Sequence, residues 1–440
     1  MAGLLRICTA GSVDDGKSTL IGRLLYDSQA LYEDQVKSVE KASRNRSAGP
    51  IDFSLFTDGL KAEREQGITI DVAYRYFATA KRKFILADTP GHEQYTRNMA
   101  TGASTADVAV LLVDARHGVR AQSRRHARIA RLLGISHFVL AVNKIDLVDF
   151  DRGVFDAICD DFGALLSDVD VHAIPLSALY GDNVMTRSRR TPWFDEPSLL
   201  EHLEAVEVDR DTAGMPFRFP VQLVIRPTDD FRGYAGQIVS GTVRPGDRVT
   251  VWPSGRTVRV ARIVTWNGDL AVAHAPMSVT LTLDADVDVS RGDLLADAQG
   301  SPLSPEPSVG NRVEAQVVWM DERPLDPSRV YLLKHGSRTL TAEINRGLVM
   351  NQIGTVTVTT ASPLVFDSYS DNRATGAFIL IDPAANFTAG AGMIGSPLHE
   401  IATTVARPSA AERLAQLART ASSDADAAEA VRRALEEMLT

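Results

Sequence analysis

A glycine-rich segment near the start of the chain has the residue types that bind phosphate groups. It reads Gly-Ser-Val-Asp-Asp-Gly-Lys-Ser over Gly11–Ser18, fits the pattern G-x-x-x-x-G-K-S/T, and follows the apolar run Leu4–Ala10. Glycines let backbone N–H groups face phosphate oxygens, and the helix predicted over Ser18–Leu25 adds its positive end. Lys17 supplies a mobile positive charge. The predicted phosphate-binding residues are Gly11, Ser12, Val13, Asp14, Asp15, Gly16, Lys17, Ser18 and Thr19.

A second candidate loop, Asp88-Thr89-Pro90-Gly91, follows the apolar run Lys83–Ala87. An α/β sheet binds its ligand at the carboxyl ends of its strands, so Asp88 is predicted to hold Mg²⁺ through water. Gly91 is predicted to contact the outermost phosphate. Asp88, Thr89 and Pro90 are therefore expected to belong to a segment that responds to the bound nucleotide.

Between these two loops lies the glycine-containing segment Arg64–Ile70. Its Thr69 is predicted to close over the metal and the γ-phosphate, with Ile68 beside it, as an ordered-to-disordered switch. A threonine in a β-rich run is more often only a strand residue, so this prediction depends on the position of the segment. The predicted magnesium ligands are Ser18, Thr69 and Asp88.

Two further motifs carry base recognition. Asn143-Lys-Ile-Asp146 follows the apolar run Phe138–Val142, and Ser177-Ala-Leu179 follows Val171–Pro175. One carboxylate can accept both N1–H and N2–H of guanine, whereas adenine would leave Asp146 without these donors. The sequence therefore predicts GTP and not ATP as the ligand. The predicted guanine-binding residues are Asn143, Lys144, Asp146, Ser177, Ala178 and Leu179.

His92, one residue after Gly91, is the candidate catalytic residue because it is placed to orient the attacking water. A lone loop histidine is more often a surface residue, and that alternative stays open. Val13 and Ile68 are candidates for an apolar gate that keeps His92 away from the γ-phosphate. Ordinary core packing explains these two side chains equally well.

The elements that must position these loops alternate between β-branched runs and helix-length amphipathic segments up to about residue 210. This alternation is typical of a doubly wound, mostly parallel sheet. The four apolar runs named above, and a fifth at Val108–Val113, are its predicted strands. After Gly214 the helical spacing ends. Short alternating segments then predict hairpins of an all-β module, over Gln237–Val243, Arg248–Trp252 and Val258–Val264.

A Pro/Ser/Gly-rich stretch, Gly300–Gly310, is predicted to link this module to a second small barrel. The strands expected in that barrel are Arg312–Met320, Val330–Lys334, Gly354–Thr360 and Gly376–Ile381. Helical spacing returns in the tail, where Ser409 and Glu412 form a predicted capping box. The predicted domains are 1–212 (an α/β P-loop GTPase domain), 213–303 and 304–404 (two antiparallel β-barrels), and 405–440 (a short helical tail).

Composition excludes several classes of protein. The 440 residues include 47 basic and 56 acidic side chains, a net charge of −9, and no basic stripe that would suit a nucleic-acid coat. The cysteines are only Cys8 and Cys159, which fits a reducing compartment. No signal peptide is recognised, and no apolar run has the ~20 residues of a membrane span. A cytoplasmic protein that binds neither nucleic acid nor membrane is expected.

The chain resembles translational GTPases, and more narrowly the GTP-binding large subunit of bacterial sulfate adenylyltransferase, the CysN family. The resemblance rests on the phosphate loop, on Asp58–Phe77 and on Asp88–Ser104. It continues through both predicted barrels, to about residue 400, in Phe217–Val221, Asp230–Gly236, Ser290–Leu295 and Val317–Met320. The resemblance implies a GTPase domain followed by two barrels like those of elongation factor Tu.

The resemblance also implies GTP and Mg²⁺ as ligands and a CysD-like small catalytic subunit as partner, in a heterodimer or a higher assembly. In that family, GTP hydrolysis helps to drive the formation of adenosine 5′-phosphosulfate and pyrophosphate from ATP and sulfate. The chain has no Ser-Gly-Gly ATP-pyrophosphatase loop and no His-x-x-His, so we expect no sulfate adenylylation by this chain alone. The only G-K-S/T lies at Gly16, and no kinase domain is expected.

Two alternatives remain open at this stage. A tRNA-binding elongation factor would share the GTPase and barrel pattern, but such factors typically have Val-Asp-His-Gly where this chain has Val13-Asp-Asp-Gly. A sulfate-activating subunit dedicated to a specialised sulfated product would share every motif. The tail is interpreted as a solvated helix or a docking element, and its short apolar stripe favours the solvated helix.

Overall fold

The chain folds into an N-terminal α/β domain followed by two antiparallel barrels. The computed structural model describes residues 3–30, 37, 39, 51–56, 69, 71–166, 169–208, 212–228, 231–298 and 305–398. The predicted tail, 405–440, lies outside the described residues. No helix among the described residues has the length and apolar character needed to cross a membrane.

The N-terminal domain is built on a six-stranded sheet with strand order β2-β3-β1-β4-β5-β6. Strand β2 is antiparallel to its neighbour, and the other pairs are parallel. The loops that leave the parallel strands therefore meet at one edge of the sheet. The strands are β1 Leu4–Gly11, β2 Ala73–Ala78, β3 Lys83–Asp88, β4 Val108–Asp114, β5 His137–Asn143 and β6 Asp170–Pro175.

In the described part of this domain, five α-helices cover the sheet, together with three short 3₁₀ helices. The central strand β4 is buried at all seven positions, which explains its uninterrupted apolar sequence. The α-helices are α1 Lys17–Asp27, α2 Thr96–Ala103, α3 Ala121–Leu132, α4 Arg152–Gly163 and α5 Leu199–Ala205. The 3₁₀ helices are Phe53–Phe56, Glu93–Tyr95 and Ile145–Val148.

The predicted fold class is confirmed, and each of the five strands expected in this domain lies within an observed strand. Strand β2 was missed. It forms an edge of the sheet, where Tyr74 and Tyr76 are 41% and 66% exposed. Exposed aromatic side chains remove the apolar signal by which the interior strands are recognised.

The strands of the first barrel follow the order β10-β15-β7-β8-β14-β11-β12. The barrel closes because the first strand in this order, β10, also pairs with β11. Its interior includes Phe219, Tyr234 and Leu281. The strands are β7 Arg218–Thr228, β8 Phe231–Gln237, β9 Thr242–Val243, β10 Arg248–Trp252, β11 Arg256–Thr265, β12 Gly268–Leu270, β13 Ala273–His274, β14 Ser278–Leu283 and β15 Leu294–Asp297.

The predicted strand Gln237–Val243 is wrong, because β8 ends at Gln237 and β9 begins only at Thr242. Gly241 separates them with a φ of 81°. A Cβ at this position would lie 2.3 Å from the Cα of Phe217, so the glycine is required where the chain crosses another backbone.

The second barrel is closed by six strands in the order β16-β19-β18-β17-β20-β21. Trp319 and Phe366 are buried in its interior. Strand β16 begins at Ser308, which pairs with Phe366, so the last residues of the predicted linker Gly300–Gly310 belong to the barrel. The strands are β16 Ser308–Trp319, β17 Tyr331–His335, β18 Arg338–Ile344, β19 Ile353–Phe366, β20 Ala377–Asp382 and β21 Phe387–Pro397.

Candidate nucleotide-binding site

The phosphate loop joins the end of β1 at Gly11 to the start of α1 at Lys17. Its turn requires left-handed backbone at Gly16, with a φ of 91°. A Cβ at Gly16 would lie 2.3 Å from Nδ2 of Asn143, so no larger residue fits without displacing that amide. The position of this glycine therefore follows from both its conformation and its close neighbour.

Lys17 lies at the base of this loop and is 7% exposed. Its ammonium donates hydrogen bonds to the carbonyl oxygens of Ser12, at 2.7 Å, and Gly11, at 3.2 Å. Burial lowers the pKa of Lys17, and the carboxylates of Asp15 and Asp88 oppose that shift. The loop thus concentrates a positive charge where phosphate oxygens would bind.

The loop after β3 packs directly against the phosphate loop. Asp88 ends β3 beside Thr9 and is 2% exposed, and the Thr89 hydroxyl donates to the carbonyl oxygen of Thr9 at 2.5 Å. A Cβ at Gly91 would lie 2.4 Å from the Lys17 ammonium nitrogen. Pro90 between them is buried. The structure therefore brings together the two phosphate motifs that the sequence separates.

The Asn143 side chain joins the base-recognition loops to the phosphate loop. Its Nδ2 donates to the carbonyl oxygen of Asp15 at 2.7 Å, and its Oδ1 accepts from the backbone N–H of Ala178 at 3.0 Å. The side chain is 2% exposed. Because both ends of this amide are used, Asn143 holds three loops in one arrangement.

Lys144 extends the same connection. Its backbone is left-handed, with a φ of 61°, and its ammonium donates to the carbonyl oxygen of Asp14 and lies 3.0 Å from the Asp114 carboxylate. Burial raises the pKa of Asp114, but hydrogen bonds from Arg116 and Lys144 outweigh it and hold that pKa well below its usual range. Asp114 was missed from sequence. The available signal was a polar residue at the end of the apolar run of β4.

The remaining base-recognition residues lie in the adjoining turns. Asp146 is half-buried in the 3₁₀ helix Ile145–Val148. Ser177 is buried, and its backbone N–H donates to Asp182 O at 3.1 Å. Leu179 is 36% exposed, and its carbonyl oxygen accepts from the guanidinium of Arg23. Asp146 therefore has a partly accessible carboxylate next to the rigid Asn143 connection.

His92 follows Gly91 and is half-buried. Its Nδ1 accepts a hydrogen bond from the backbone N–H of Gln94 at 3.4 Å, which caps the 3₁₀ helix Glu93–Tyr95. In the neutral ring the proton then lies on Nε2. His92 can therefore donate a hydrogen bond to a water molecule or a phosphate oxygen.

The predicted switch and gate are described only in part. Thr69 and Val13 are half-buried, and Ile68 lies outside the described residues. The gate formed by Val13 and Ile68 accordingly stays a prediction.

The predicted magnesium ligands fit a hard cation in chemical type, since they are one buried carboxylate, Asp88, and two hydroxyls. Within the described part of the chain, no group of three or more His, Cys, Asp or Glu side chains is arranged to bind a metal ion. Any Mg²⁺ here would therefore depend on hydroxyl, water and phosphate oxygens in addition to Asp88.

Two models of known protein families match this chain, one in the N-terminal domain and one in the second barrel. Residues 3–209 match the family model of the elongation factor Tu GTP binding domain. Residues 345–395, in the second barrel, match the GTP-eEF1A C-terminal domain-like family. The first match covers the whole set of loops described above.

Relatives that match most of the chain identify its family more narrowly than these two models do. The bifunctional enzyme NodQ of Rhizobium sp. strain N33 is 54% identical over 90% of this chain and 64% of its own length. The bifunctional enzyme CysN/CysC of Mycobacterium tuberculosis is 52% identical over 90% of this chain and 67% of its own length. This chain thus spans about two thirds of these bifunctional relatives.

A third relative is covered more completely. Sulfate adenylyltransferase subunit 1 of Laribacter hongkongensis is 51% identical over 89% of this chain and 85% of its own length. With an elongation-factor-Tu-type GTP-binding domain and this similarity through both barrels, the chain belongs to the sulfate adenylyltransferase subunit 1 family.

Proposed function

We propose that this chain is the GTPase subunit of a heteromeric sulfate adenylyltransferase that works in the cytoplasm with a CysD-like small catalytic subunit. The partner would form adenosine 5′-phosphosulfate and pyrophosphate from ATP and sulfate, and GTP hydrolysis by this chain would drive that unfavourable reaction. The observation that carries the proposal is the Asn143 side chain, which bonds to both the phosphate loop and the Ser177–Leu179 turn, in a chain of this family.

The roles of the residues follow from their positions. Lys17 would leave its backbone carbonyl partners for phosphate oxygens, because a negatively charged acceptor adds charge–charge attraction to the hydrogen bond from the ammonium. Asp146 would accept the two guanine N–H donors. Ser18, Thr69 and Asp88 would hold Mg²⁺, which would neutralise phosphate charge when bound.

His92 would orient the attacking water through its Nε2–H. Its Nδ1 is already used as the cap of the 3₁₀ helix, so the ring orientation is set before water binds. This assignment favours a positioning and charge-stabilising role over removal of a proton from the water.

The deciding experiment is sulfate-dependent pyrophosphate release by this chain, alone and co-purified with a CysD-like small subunit, each with and without GTP. We expect release only with both subunits and strong stimulation by GTP. Robust release by this chain alone would contradict the division of labour, and release by both subunits that ignores GTP would contradict the coupling.

In the same complex, His92→Ala is expected to lower GTP hydrolysis by about 100-fold or more while GTP binding stays within about twofold. His274→Ala is the matched control, because His274 is an exposed histidine of the first barrel. Unchanged hydrolysis in the His92 variant would remove this residue from the mechanism.

A further inference from the structure

Helix α3 contacts the phosphate loop through two buried side chains. Nδ1 of His126 accepts the backbone N–H of Gly11 at 3.2 Å, and the hydroxyl of Ser123 lies 3.1 Å from that of Ser12. His126 and Ser123 are both 0% exposed. The first two residues of the phosphate loop are therefore held by side chains from a helix more than a hundred residues further along the chain.

The same helix is attached to the second barrel at its other end. The Tyr369 hydroxyl donates to the carbonyl oxygen of Leu133 at 2.9 Å, and the Arg373 guanidinium donates to that of Gly134. Leu133 and Gly134 directly follow the last residue of α3. The helix thus spans the distance between the barrel surface and the phosphate loop.

A second set of contacts links α3 and the second barrel to the loop that carries His92. Arg125 of α3 lies 3.2 Å from the Glu93 carboxylate, and Nδ2 of Asn351 in the second barrel donates to the carbonyl oxygen of Glu93 at 3.2 Å. Both motifs that face the phosphates are therefore in contact with α3, and both α3 and the His92 loop contact the second barrel.

We propose, on the basis of the GTP site above, that His126 is a positioning residue for the phosphate loop and that α3 couples this loop to the second barrel. His126 fixes the direction of the Gly11 N–H, and with it the first turn of the loop. A shift of the barrel against Leu133 or Glu93 then reaches the phosphates through α3.

The protonation state of His126 allows its Nδ1 to accept the Gly11 N–H at all ordinary pH values. Because Nδ1 accepts the Gly11 N–H, the proton of the neutral ring lies on Nε2, 2.8 Å from Nε2 of Gln122. This tautomer pairs with Gln122 when its side-chain amide turns its oxygen, and not its nitrogen, toward the ring. Burial, together with the nearby charges of Lys17 and Arg125, lowers the pKa of His126 to about 3. The ring therefore stays neutral under ordinary conditions.

Two polar substitutions of His126 separate positioning from packing. The side-chain oxygen of His126→Asn can occupy the place of Nδ1 and accept the Gly11 N–H, whereas His126→Gln reaches the place of Nε2 and leaves that N–H without its acceptor. The probe is equilibrium binding of a fluorescent GTP analogue to the full-length chain, which requires no partner and no sulfate.

We expect the Gln variant to bind about tenfold more weakly than wild type, the size expected when a buried N–H loses its acceptor, and the Asn variant to stay within about threefold. Equal affinities of the two variants, after both are shown to have wild-type thermal unfolding, would overturn the positioning role. If the wild-type chain binds no guanine nucleotide, the proposed function itself fails, and the two failures are distinguishable.

The connection to the barrel through α3 is tested with Tyr369→Phe, which removes the hydrogen bond to Leu133. We expect it to weaken GTP binding about twofold in the wild-type background and to have no further effect in the His126→Gln background, because the connection is then already broken. The matched control is Tyr331→Phe, since the Tyr331 hydroxyl accepts from the backbone N–H of Asp326 inside the second barrel. Independent, additive effects of Tyr369→Phe and His126→Gln would overturn the coupling.

Discussion

The two interfaces of the second barrel are built from different interactions. Its contact with the first barrel contains a bidentate ion pair between Arg218, 2% exposed, and Asp367, with Arg218 also donating to Phe217 O and Pro305 O. Its contact with the N-terminal domain combines hydrogen bonds to backbone carbonyls, such as that from Tyr369 to Leu133, with apolar packing of Val318 and Met393 against the N-terminal core, and among the described residues it contains no ion pair of this kind.

This difference indicates which parts can move independently. Breaking a buried ion pair leaves a charge without compensation, so the two barrels should behave as one body. A single neutral hydrogen bond contributes only about 1 kcal/mol, and its carbonyl acceptor can be replaced by water. We therefore expect the N-terminal domain to separate from the second barrel more readily than the two barrels separate from each other.

The largest effect is expected from Arg218→Ala. It leaves the Asp367 carboxylate buried without its cation and should lower the free energy of unfolding of the barrels by about 3–5 kcal/mol. Urea unfolding followed by barrel tryptophan fluorescence measures the change. Arg262→Ala is the control, because the Arg262–Asp269 pair is exposed on the first barrel and its loss should change little. Similar effects of the two substitutions would remove the distinction between the interfaces.

A smaller effect is expected from acid. Burial lowers the pKa of His126 to about 3 and that of His202 to about 4, from an ordinary value of 6.5. A histidine with a lowered folded-state pKa contributes stability that is present above pH 6.5 and is lost as the pH falls towards the folded-state pKa. The free energy of unfolding of the N-terminal domain should therefore fall by on the order of a few kcal/mol between pH 6.5 and 3.5.

Denaturant titrations at several pH values check this expectation. His126→Asn removes the buried titrating group and should reduce the pH dependence of the free energy of unfolding of the N-terminal domain. His335 is a half-buried histidine of the second barrel, and burial also lowers its pKa. His335→Asn should instead reduce the pH dependence of the free energy of unfolding of the barrels. A pH dependence that neither variant changes would contradict the assignment of the acid effect to these histidines.

The smallest effect is expected at the interface between the N-terminal domain and the second barrel. Tyr369→Phe removes one hydroxyl donor and should weaken this interface by about 1 kcal/mol, without changing the stability of the barrel itself. Hydrogen exchange at the backbone after α3 should become faster. Tyr331→Phe is the control, since its hydroxyl accepts from Asp326 inside the barrel, and it should show the opposite pattern.

The site shows which features a sequence can reveal. Phosphate and base motifs follow apolar strands, and the parallel arrangement of those strands brings Gly16 and Asn143 to one edge of the sheet. Local order in the sequence was therefore enough to predict that these residues converge. The fold class followed from the same alternation of apolar and polar runs, whereas the strand order came only from the structure.

Other features depend on contacts between distant segments. His126 lies in an amphipathic helix, whose spacing marks a buried face but does not show which buried residue meets Gly11. Gly241 breaks a predicted strand only because Phe217 crosses it. Tertiary packing decides both outcomes, and no local pattern records it.

The central claim, that these loops form one guanine-nucleotide site, is tested most directly by competition for labelled GTP. Unlabelled GTP should displace it from the wild-type chain, and ATP at the same concentration should not. Asp146→Asn should favour xanthosine triphosphate instead, because an amide can donate to the carbonyl oxygen at position 2 of xanthine. Displacement of labelled GTP by equimolar ATP would contradict the account.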